Sequence, residues 1–127
     1  GTRKKVHLVD HVTDYSRQNT ISSTQGETLV DNSDYSYLSA ENLKTVQEGM
    51  REVVTSGTAK TLFSNYKIAI AAKTGRAETN GGDNVTFIAY APYDNPQIAV
   101  AVVLPHGAAG TYAQNIAKDI FDAYFQS

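Results

Sequence analysis

The sequence predicts an α+β fold in which a three-stranded antiparallel meander packs against helices. Three apolar or alternating segments, at residues 66–73, 85–91 and 98–104, are separated only by short turns. Consecutive strands with short connections pair antiparallel. Residues with helical apolar spacing lie before and after these three segments. A sheet and amphipathic helices bury their apolar faces against each other, which is the α+β arrangement.

The composition predicts that residues 1–127 form a single folded segment. Hydrophobic residues make up 41% and charged residues 19%, which is typical of a globular domain. The net charge of -2 gives no basic surface for nucleic acid. The absence of cysteine excludes disulfides, thiolate catalysis and cysteine-based zinc sites. The longest apolar stretch, residues 98–104, is too short to cross a bilayer, so we predict no membrane segment. The opening Gly1-Thr2-Arg3 indicates the interior of a longer chain.

The first third of the chain is predicted to hold one strand and one long polar segment. Residues 6–12 partly alternate apolar and polar side chains, which predicts a short strand. Residues 13–37 are rich in Ser, Thr, Asn, Asp and Gln and contain few large apolar side chains. This composition predicts a loop.

A helix is predicted from Ala40 to about Thr55. Ser39 is placed to cap its first turn, and Glu41 lies where the helix dipole favours a negative charge. Apolar residues recur at three- and four-residue steps along it: Leu43, Val46, Met50, Val53 and Val54. Ser56-Gly57 ends the helix, and a second short helical piece is predicted over residues 58–63.

The rest of the chain, after residue 63, is predicted to form the meander and a closing helix. A turn is predicted over residues 79–84, which include Asn80-Gly81-Gly82, and a second turn over residues 92–96, between two prolines. The closing helix carries one continuous apolar stripe: Ala113, Ile116, Ala117, Ile120, Phe121 and Tyr124.

Lys73-Thr74-Gly75 carries the chemistry of the sequence. It follows the apolar run 68–72, so we predict that it ends a strand and presents an ammonium and a hydroxyl beside exposed backbone. Gly75 has no Cβ, which lets a ligand come close to the strand. Such an edge suits an anionic, peptide-like ligand. The tripeptide is also one of the motifs of penicillin-recognising serine enzymes.

The wider pattern resembles the C-terminal part of a class B penicillin-binding protein transpeptidase domain. The likeness extends over roughly residues 6–124 and is weakest over 13–37. Several stretches carry it: residues 49–54, Gly57-Thr58-Ala59, Ala72-Lys73-Thr74-Gly75 with Ala77-Glu78, residues 87–92, Ile98–Leu104 and residues 116–118. The resemblance implies a partial β-lactamase/transpeptidase-like fold.

In function, the resemblance implies acyl transfer from a peptidoglycan stem peptide to a serine and then to an amine of a neighbouring stem peptide. β-Lactams would acylate the same serine. Lys73 and Thr74 would face the carboxylate of the terminal D-alanine or of the β-lactam. The backbone N–H of Arg76 would be one oxyanion donor. The predicted catalytic residues are therefore Lys73 and Arg76, and the predicted substrate-binding residues are Lys73, Thr74, Gly75 and Arg76.

Two features depart from the family pattern. Arg76 stands where the family usually has a small hydroxyl residue, and its side chain would either attract a carboxylate or block the groove. The family's nucleophile motif and second motif normally lie upstream, where this sequence has neither. We therefore expect the partner of this chain to be the missing N-terminal part of the domain or a second copy of itself. The isolated chain is predicted to be inactive, and its parent is predicted to act outside the cytoplasmic membrane.

Other candidate sites are weaker. Residues 64–67 spell Ser-x-x-Lys but lead towards a strand, where three residues span about 10 Å and side chains alternate faces. Residues 93–95 imitate a variant of the second motif, but they lie in a predicted turn between two prolines. His7 and His11 have a spacing that would suit a metal only on a helix, and we predict no metal and no cofactor. His106 is predicted to be structural.

Two other functions remain open at this point. One is a non-catalytic α+β module that binds peptide carboxylates. The other is a related D,D-carboxypeptidase or β-lactam sensor.

Overall fold

The computed structural model describes residues 3–24, 28–30, 39–107 and 109–126. The chain divides into two compact units, Gly1–Leu43 and Lys44–Ser127. In chain order the elements are β1 Arg3–Lys4, β2 His11–Thr13, β3 Thr20–Ser23, β4 Thr28–Val30, α1 Ala40–Thr55, α2 Lys60–Phe63, β5 Ala71–Ala77, β6 Asn84–Ala91, β7 Ile98–Leu104 and α3 Gly110–Gln126.

The first unit contains two small antiparallel pairs, β1 with β4 and β2 with β3. The strand predicted over residues 6–12 is wrong in extent, because only His11 and Val12 fall within β2. The loop predicted over 13–37 contains β3 and β4, and residues 25–27 and 31–37 of it lie outside the described residues. Pairing with β3 sets the position of β2, and β3 is the polar sequence Thr-Ile-Ser-Ser, which carries little strand signal of its own.

The connection between β2 and β3 is organised by Asp14. Its carboxylate accepts hydrogen bonds from Ser16 Oγ and Asn19 Nδ2, each at 2.7 Å, and from the backbone N–H of Gln18 at 3.3 Å. These donors stabilise the charged form, led by Ser16 and then Asn19, and they lower the pKa of Asp14 from 3.8 to about 2.

α1 begins and ends as the sequence predicts. Ser39 Oγ accepts a hydrogen bond from the backbone N–H of Asn42 at 3.1 Å, which confirms the predicted N-cap. The backbone N–H groups of Ser56 and Gly57 both donate to the carbonyl of Glu52, at 2.9 and 2.8 Å, and close the last turn. The predicted apolar face is only partly buried: Val54 is fully buried, whereas Val46 is 58% exposed.

β5, β6 and β7 form the predicted antiparallel meander, in that order. The bounds of β7 agree with the prediction, and β6 begins one residue earlier. β5 begins at Ala71 rather than near Tyr66 and continues past Gly75 to Ala77. The preceding carbonyls bond elsewhere, because Ile70 accepts from Arg51 Nη1 at 2.8 Å and Ala69 accepts from the backbone N–H of Tyr93 at 2.7 Å.

The core lies on the face of the sheet that packs against α3. Every second residue of β6 and β7 is buried there: Val85, Phe87, Ala89, Ala91, Val100 and Val102. The α3 residues that complete this core are Ala113, Ala117 and Phe121. The stripe predicted for α3 is buried only along one side. Its other side is exposed at Ile116, Ile120 and Tyr124. A helix lying on a flat sheet buries one narrow face, and the other side needs another element. None of the helices in the described part of the chain has the length and apolarity that a bilayer crossing requires.

We predict that Phe87→Ala lowers the free energy of unfolding by about 3–5 kcal/mol, because it removes a fully buried ring and leaves a cavity. Phe87 is 0% exposed and stacks on Phe63 with ring centroids 5.7 Å apart. The matched control is Ile88→Ala, since the neighbouring residue points to the other face and is 48% exposed. It should cost about 1 kcal/mol or less. Urea unfolding of both variants provides the measurement, and equal losses would contradict the assignment of faces.

We also predict that the Asp14 carboxyl titrates near pH 2 and that Ser16→Ala moves its pKa upward towards 3.8. A lowered pKa means that the charged carboxylate stabilises the folded loop above about pH 4 and that this contribution is lost as the pH falls towards 2. Carboxyl carbon NMR shifts would follow the titration. Amide exchange in residues 14–19 should accelerate over the same range. A normal titration in the unmodified chain would contradict the prediction.

Candidate functional site

Lys73-Thr74-Gly75 lies in the middle of β5, not at a strand end as the sequence predicts. β5 is an edge strand, since β6 pairs on one side of it and no strand of the described residues pairs on the other. An edge strand presents alternate N–H and C=O groups that are free to pair with a further chain. The outer edge of the motif therefore has no strand partner among the described residues.

The register of β5 against β6 divides the motif between the two faces of the sheet. Thr74 lies opposite Phe87 and Arg76 opposite Val85, and both β6 partners are buried on the α3 face. Lys73 lies opposite Ile88, which is exposed on the other face. Because paired residues point to the same side, the four predicted site residues flank the edge from both faces.

The ammonium group of Lys73 is exposed on the face opposite α3. It donates a hydrogen bond to the carbonyl of Thr74 at 2.6 Å. This contact folds the long side chain back along its own strand. A single carbonyl satisfies only one of the three donors of an ammonium group, so the remaining two are available to a ligand or to another part of the site.

The hydroxyl of Thr74 lies on the α3 face and forms a hydrogen bond with the hydroxyl of Thr58 at 2.9 Å. The amide of Gln114, which is only 6% exposed, donates to the carbonyl of Thr58 at 3.5 Å. Together these residues join the turn after α1, strand β5 and the first turns of α3. They line a groove of about 230 Å³ with Arg76, Val85 and Gly110.

The side chain of Thr86 on the neighbouring strand leaves no room for a Cβ at position 75. A Cβ at this position would approach Oγ1 of Thr86 closer than 3.0 Å. Thr86 lies directly opposite Gly75 in the register. The glycine therefore allows β5 and β6 to pair closely at the motif, in addition to leaving the face open to a ligand.

Arg76 reaches the turn between β5 and β6, where its guanidinium pairs with Asp83. Both Nε and Nη2 contact the same carboxylate oxygen, Oδ2. The arginine side chain is 64% exposed and that of Asp83 is 20% exposed. The ion pair holds the guanidinium at the wall of the groove and leaves the volume beside Thr74 unfilled.

The weaker candidates do not form sites in the described residues. Ser64 follows α2 as its C-cap, whereas the Ser-x-x-Lys chemistry needs a helix start. His7 and His11 are exposed, and His11 Nδ1 lies 2.8 Å from Asp10 Oδ2. No cluster of three metal-ligating side chains occurs among the described residues. His106 supports the β5–β6 turn through its backbone N–H, which donates to Asn84 Oδ1 at 3.1 Å.

A second polar cluster joins Tyr66, Lys118 and Asp122 beside a groove of about 500 Å³. Tyr66 donates to Asp122 Oδ1 at 2.6 Å, and Lys118 Nζ contacts Asp122 Oδ2 at 2.5 Å. Lys118 lowers the pKa of Asp122, while burial and the neighbouring Asp122 raise the pKa of Tyr66. The Asp122 carboxylate contacts both neighbours, so the cluster links α3 to the segment after α2.

Two residues that line the groove, Thr58 and Gln114, and the ion-pair partner of Arg76, Asp83, were not identified as site residues from the sequence. Thr58 follows the glycine that ends α1, and only its position after that turn could have suggested it. Asp83 lies in a turn whose composition predicts no charge pairing. Gln114 follows Ala113 within a helix whose apolar stripe gives no signal for a buried amide.

Comparison with known proteins identifies the family of this chain. The chain matches the family profile "Penicillin binding protein transpeptidase domain" over residues 1–123. The chain belongs to the penicillin-binding protein transpeptidase family. The resemblance predicted from the sequence is thereby confirmed, as is the α+β fold with its three-stranded meander.

Individual relatives show how much of the family's length this chain represents. Penicillin-binding protein 2A of Bacillus subtilis is 32% identical over 99% of this chain and 20% of its own length. Penicillin-binding protein 2B of Streptococcus pneumoniae is 41% identical over 68% of this chain and 14% of its own length. The solved imipenem acyl-enzyme complex of penicillin-binding protein A from M. tuberculosis aligns with a TM-score of 0.75 at 25% identity, over 98% of this chain and 27% of that one. The chain thus spans a fifth or less of the two curated relatives.

We predict that Gly75→Ala destabilises the chain by about 1–3 kcal/mol through the clash with Thr86 Oγ1. Adding Thr86→Ala to the same chain should recover most of that loss, because it removes the atom that clashes. Gly49→Ala is the control, since a Cβ at that position in α1 meets nothing within 4 Å. It should instead stabilise by about 0.5–1 kcal/mol. Thermal or urea unfolding measures all three, and failure of the double variant to recover would contradict the stated cause.

Proposed function

We propose that this chain is the C-terminal part of a serine D,D-transpeptidase domain. Its parent would cross-link peptidoglycan stem peptides on the outer face of the cytoplasmic membrane and would be acylated by β-lactams. The upstream part of the domain would supply the nucleophilic serine and its base. No metal or cofactor is needed for this chemistry, because serine acyl transfer uses a nucleophile, a base and an oxyanion hole.

One observation carries the proposal: the motif Lys73-Thr74-Gly75 lies on an edge strand, with an ammonium on one face and a hydroxyl in a groove on the other. A peptide substrate pairs with such an edge by strand addition, and its terminal carboxylate is held by charge and a directed hydroxyl. Family membership supplies the reaction to which this geometry fits.

Each residue of the strand then has a distinct role. Thr74 would donate a hydrogen bond to the carboxylate of the terminal D-alanine, and Thr58 would orient its hydroxyl. Lys73 would provide the positive charge on the opposite side of the edge, towards the nucleophile. The backbone N–H of Arg76 would stabilise the oxyanion of the tetrahedral intermediate. Loss of one such donor typically costs about 10²–10³ in rate.

The proposed reaction has two steps. The serine hydroxyl attacks the carbonyl between the last two D-alanines and loses its proton to the base, and the terminal D-alanine leaves as the amine. An amine of a neighbouring stem peptide then attacks the ester and restores the hydroxyl. This chain would bind and orient the peptide in both steps.

The exposed apolar residues suggest where the remainder of the domain packs. Ile88 and Val103 point out of the sheet on the face opposite α3, and Met50 of α1 borders the same surface. The outer edges of β5 and β7 are free of strand partners within the described residues. The upstream part of the domain, or a second copy of this chain, would cover these surfaces.

Labelling with a fluorescent penicillin tests the proposal. We expect no covalent label on the isolated chain and a label on a longer protein that includes the upstream nucleophile motif. Covalent labelling of the isolated chain would overturn the divided site. Reversible binding of D-alanyl-D-alanine peptides with no labelling of the longer protein would favour the alternative, a carboxylate-binding module. Release of D-alanine without cross-linking would favour a D,D-carboxypeptidase or a β-lactam sensor.

We further predict that Lys73→Ala lowers the rate of penicillin acylation of the longer protein by about 10- to 100-fold, because it removes a charge-assisted contact. Lys44→Ala is the matched control. Lys44 is an exposed lysine of α1 that lies 3.8 Å from Glu48. Its loss should leave the acylation rate unchanged. Equal rates for the Lys73 variant and the unmodified protein would show that the motif is not part of the site.

A further inference from the structure

The side chain of Arg76 is the one cationic group among the residues that line the groove in the described part of the chain. It shares the α3 face of β5 with Thr74, two residues earlier, because strand side chains repeat with a period of two. A carboxylate held near the Thr74 hydroxyl would therefore lie on the same side of the sheet as the guanidinium.

Asp83 already places a carboxylate against this guanidinium. The turn that carries Asp83 is fixed from several directions. Its own carbonyl accepts from the backbone N–H of Gly107 at 2.9 Å, and the neighbouring Asn84 side chain accepts from the N–H of His106 at 3.1 Å. Within the turn, the N–H of Gly82 donates to the carbonyl of Thr79 at 3.2 Å. The turn is therefore the fixed partner, and the exposed arginine side chain is the partner that can move.

The contacts of the Arg76 guanidinium with Asp83 converge on one carboxylate oxygen. Nε and Nη2 both reach the single oxygen Oδ2. A guanidinium and a carboxylate bind best as a fork, with two parallel hydrogen bonds to two oxygens. An incoming carboxylate that offers both oxygens would compete with Asp83 for this guanidinium, whose side chain is 64% exposed.

We propose that Arg76 is a specificity-determining residue for ligands with a free carboxylate, and that Asp83 is a built-in competitor which a ligand carboxylate displaces. This inference rests on the proposed function and adds the side chain of Arg76 to the recognition of the substrate's terminal carboxylate. The contrasting interpretation is that the pair only fastens the β5–β6 turn to the strand. The two interpretations give opposite signs for the loss of Asp83.

The test compares N-acetyl-D-alanyl-D-alanine with its C-terminal amide by NMR titration of the isotopically labelled 127-residue chain. The measured quantity is the ratio of the two dissociation constants, amide over acid. Asp83→Asn should raise this ratio about two- to five-fold, the range expected when a partly exposed ion pair no longer competes. Arg76→Thr should lower the ratio towards one, and Arg76→Lys, which keeps the charge without the fork, should give an intermediate value.

The decisive variant combines Asp83→Asn with Arg76→Thr. If Asp83 acts only by competing for the guanidinium, its removal has no effect once the guanidinium is absent, and the double variant matches Arg76→Thr alone. Glu48→Gln is the control, because it removes an exposed carboxylate from the Lys44–Glu48 pair of α1 and should leave the ratio unchanged.

Two results would overturn the inference. One is a lower ratio in Asp83→Asn, which would mean that the pair fastens the turn. The other is a ratio in Arg76→Thr that equals that of the unmodified chain. Asp83→Glu keeps the negative charge of the turn, so it is the control for an effect of changing the side chain at position 83. Its ratio should stay within about two-fold of the unmodified ratio. Penicillin labelling of the longer protein is read separately, so failure of the proposed function and failure of this inference are distinguishable.

Discussion

The site depends on the burial of Phe87 against the α2–α3 side of the sheet. Its ring is fully buried and lies parallel to that of Phe63, with an interplanar angle of 6°. Strand side chains alternate, so this one contact fixes which residues of β6 point inward. Through the antiparallel register it also fixes β5. Thr74 must then face α3 and Lys73 must face away. A slip of one residue would exchange them.

This constraint explains why the two reactive side chains of the motif serve different surfaces. The Thr74 hydroxyl lies in a small groove bordered by the turn after α1 and the start of α3. The Lys73 ammonium lies on a face that is largely apolar and open, with Ile88 and Val103 exposed beside the same sheet. The face that carries Lys73 exposes large apolar side chains, which is typical of a surface that binds another part of a protein.

The β5–β6 turn connects the fold to the specificity of the groove. Hydrogen bonds from the loop after β7 hold the turn, and the turn holds the carboxylate that pairs with Arg76. The positive charge of Arg76 is thus paired with a carboxylate seven positions later. The groove beside Thr74 remains unfilled because the guanidinium is drawn towards the turn rather than across the strand.

The sequence by itself determined the elements with strong local signals. The spacing of apolar residues and the Ser39 cap gave the bounds of α1, and the unbroken apolar run gave those of β7. These signals are strong because caps and periodicity act between near neighbours. The sequence also indicated Lys73, Thr74, Gly75 and Arg76 as candidate site residues.

Only the tertiary structure decided where β5 begins, which face each motif residue takes and what surrounds it. β5 starts at Ala71 because earlier carbonyls bond to Arg51 and Tyr93, contacts that join distant parts of the chain. Thr58, Asp83 and Gln114 reach the site through the same kind of long-range packing. Their positions carry no local pattern, because a side chain's partner across a groove depends on the fold and not on its neighbours in sequence.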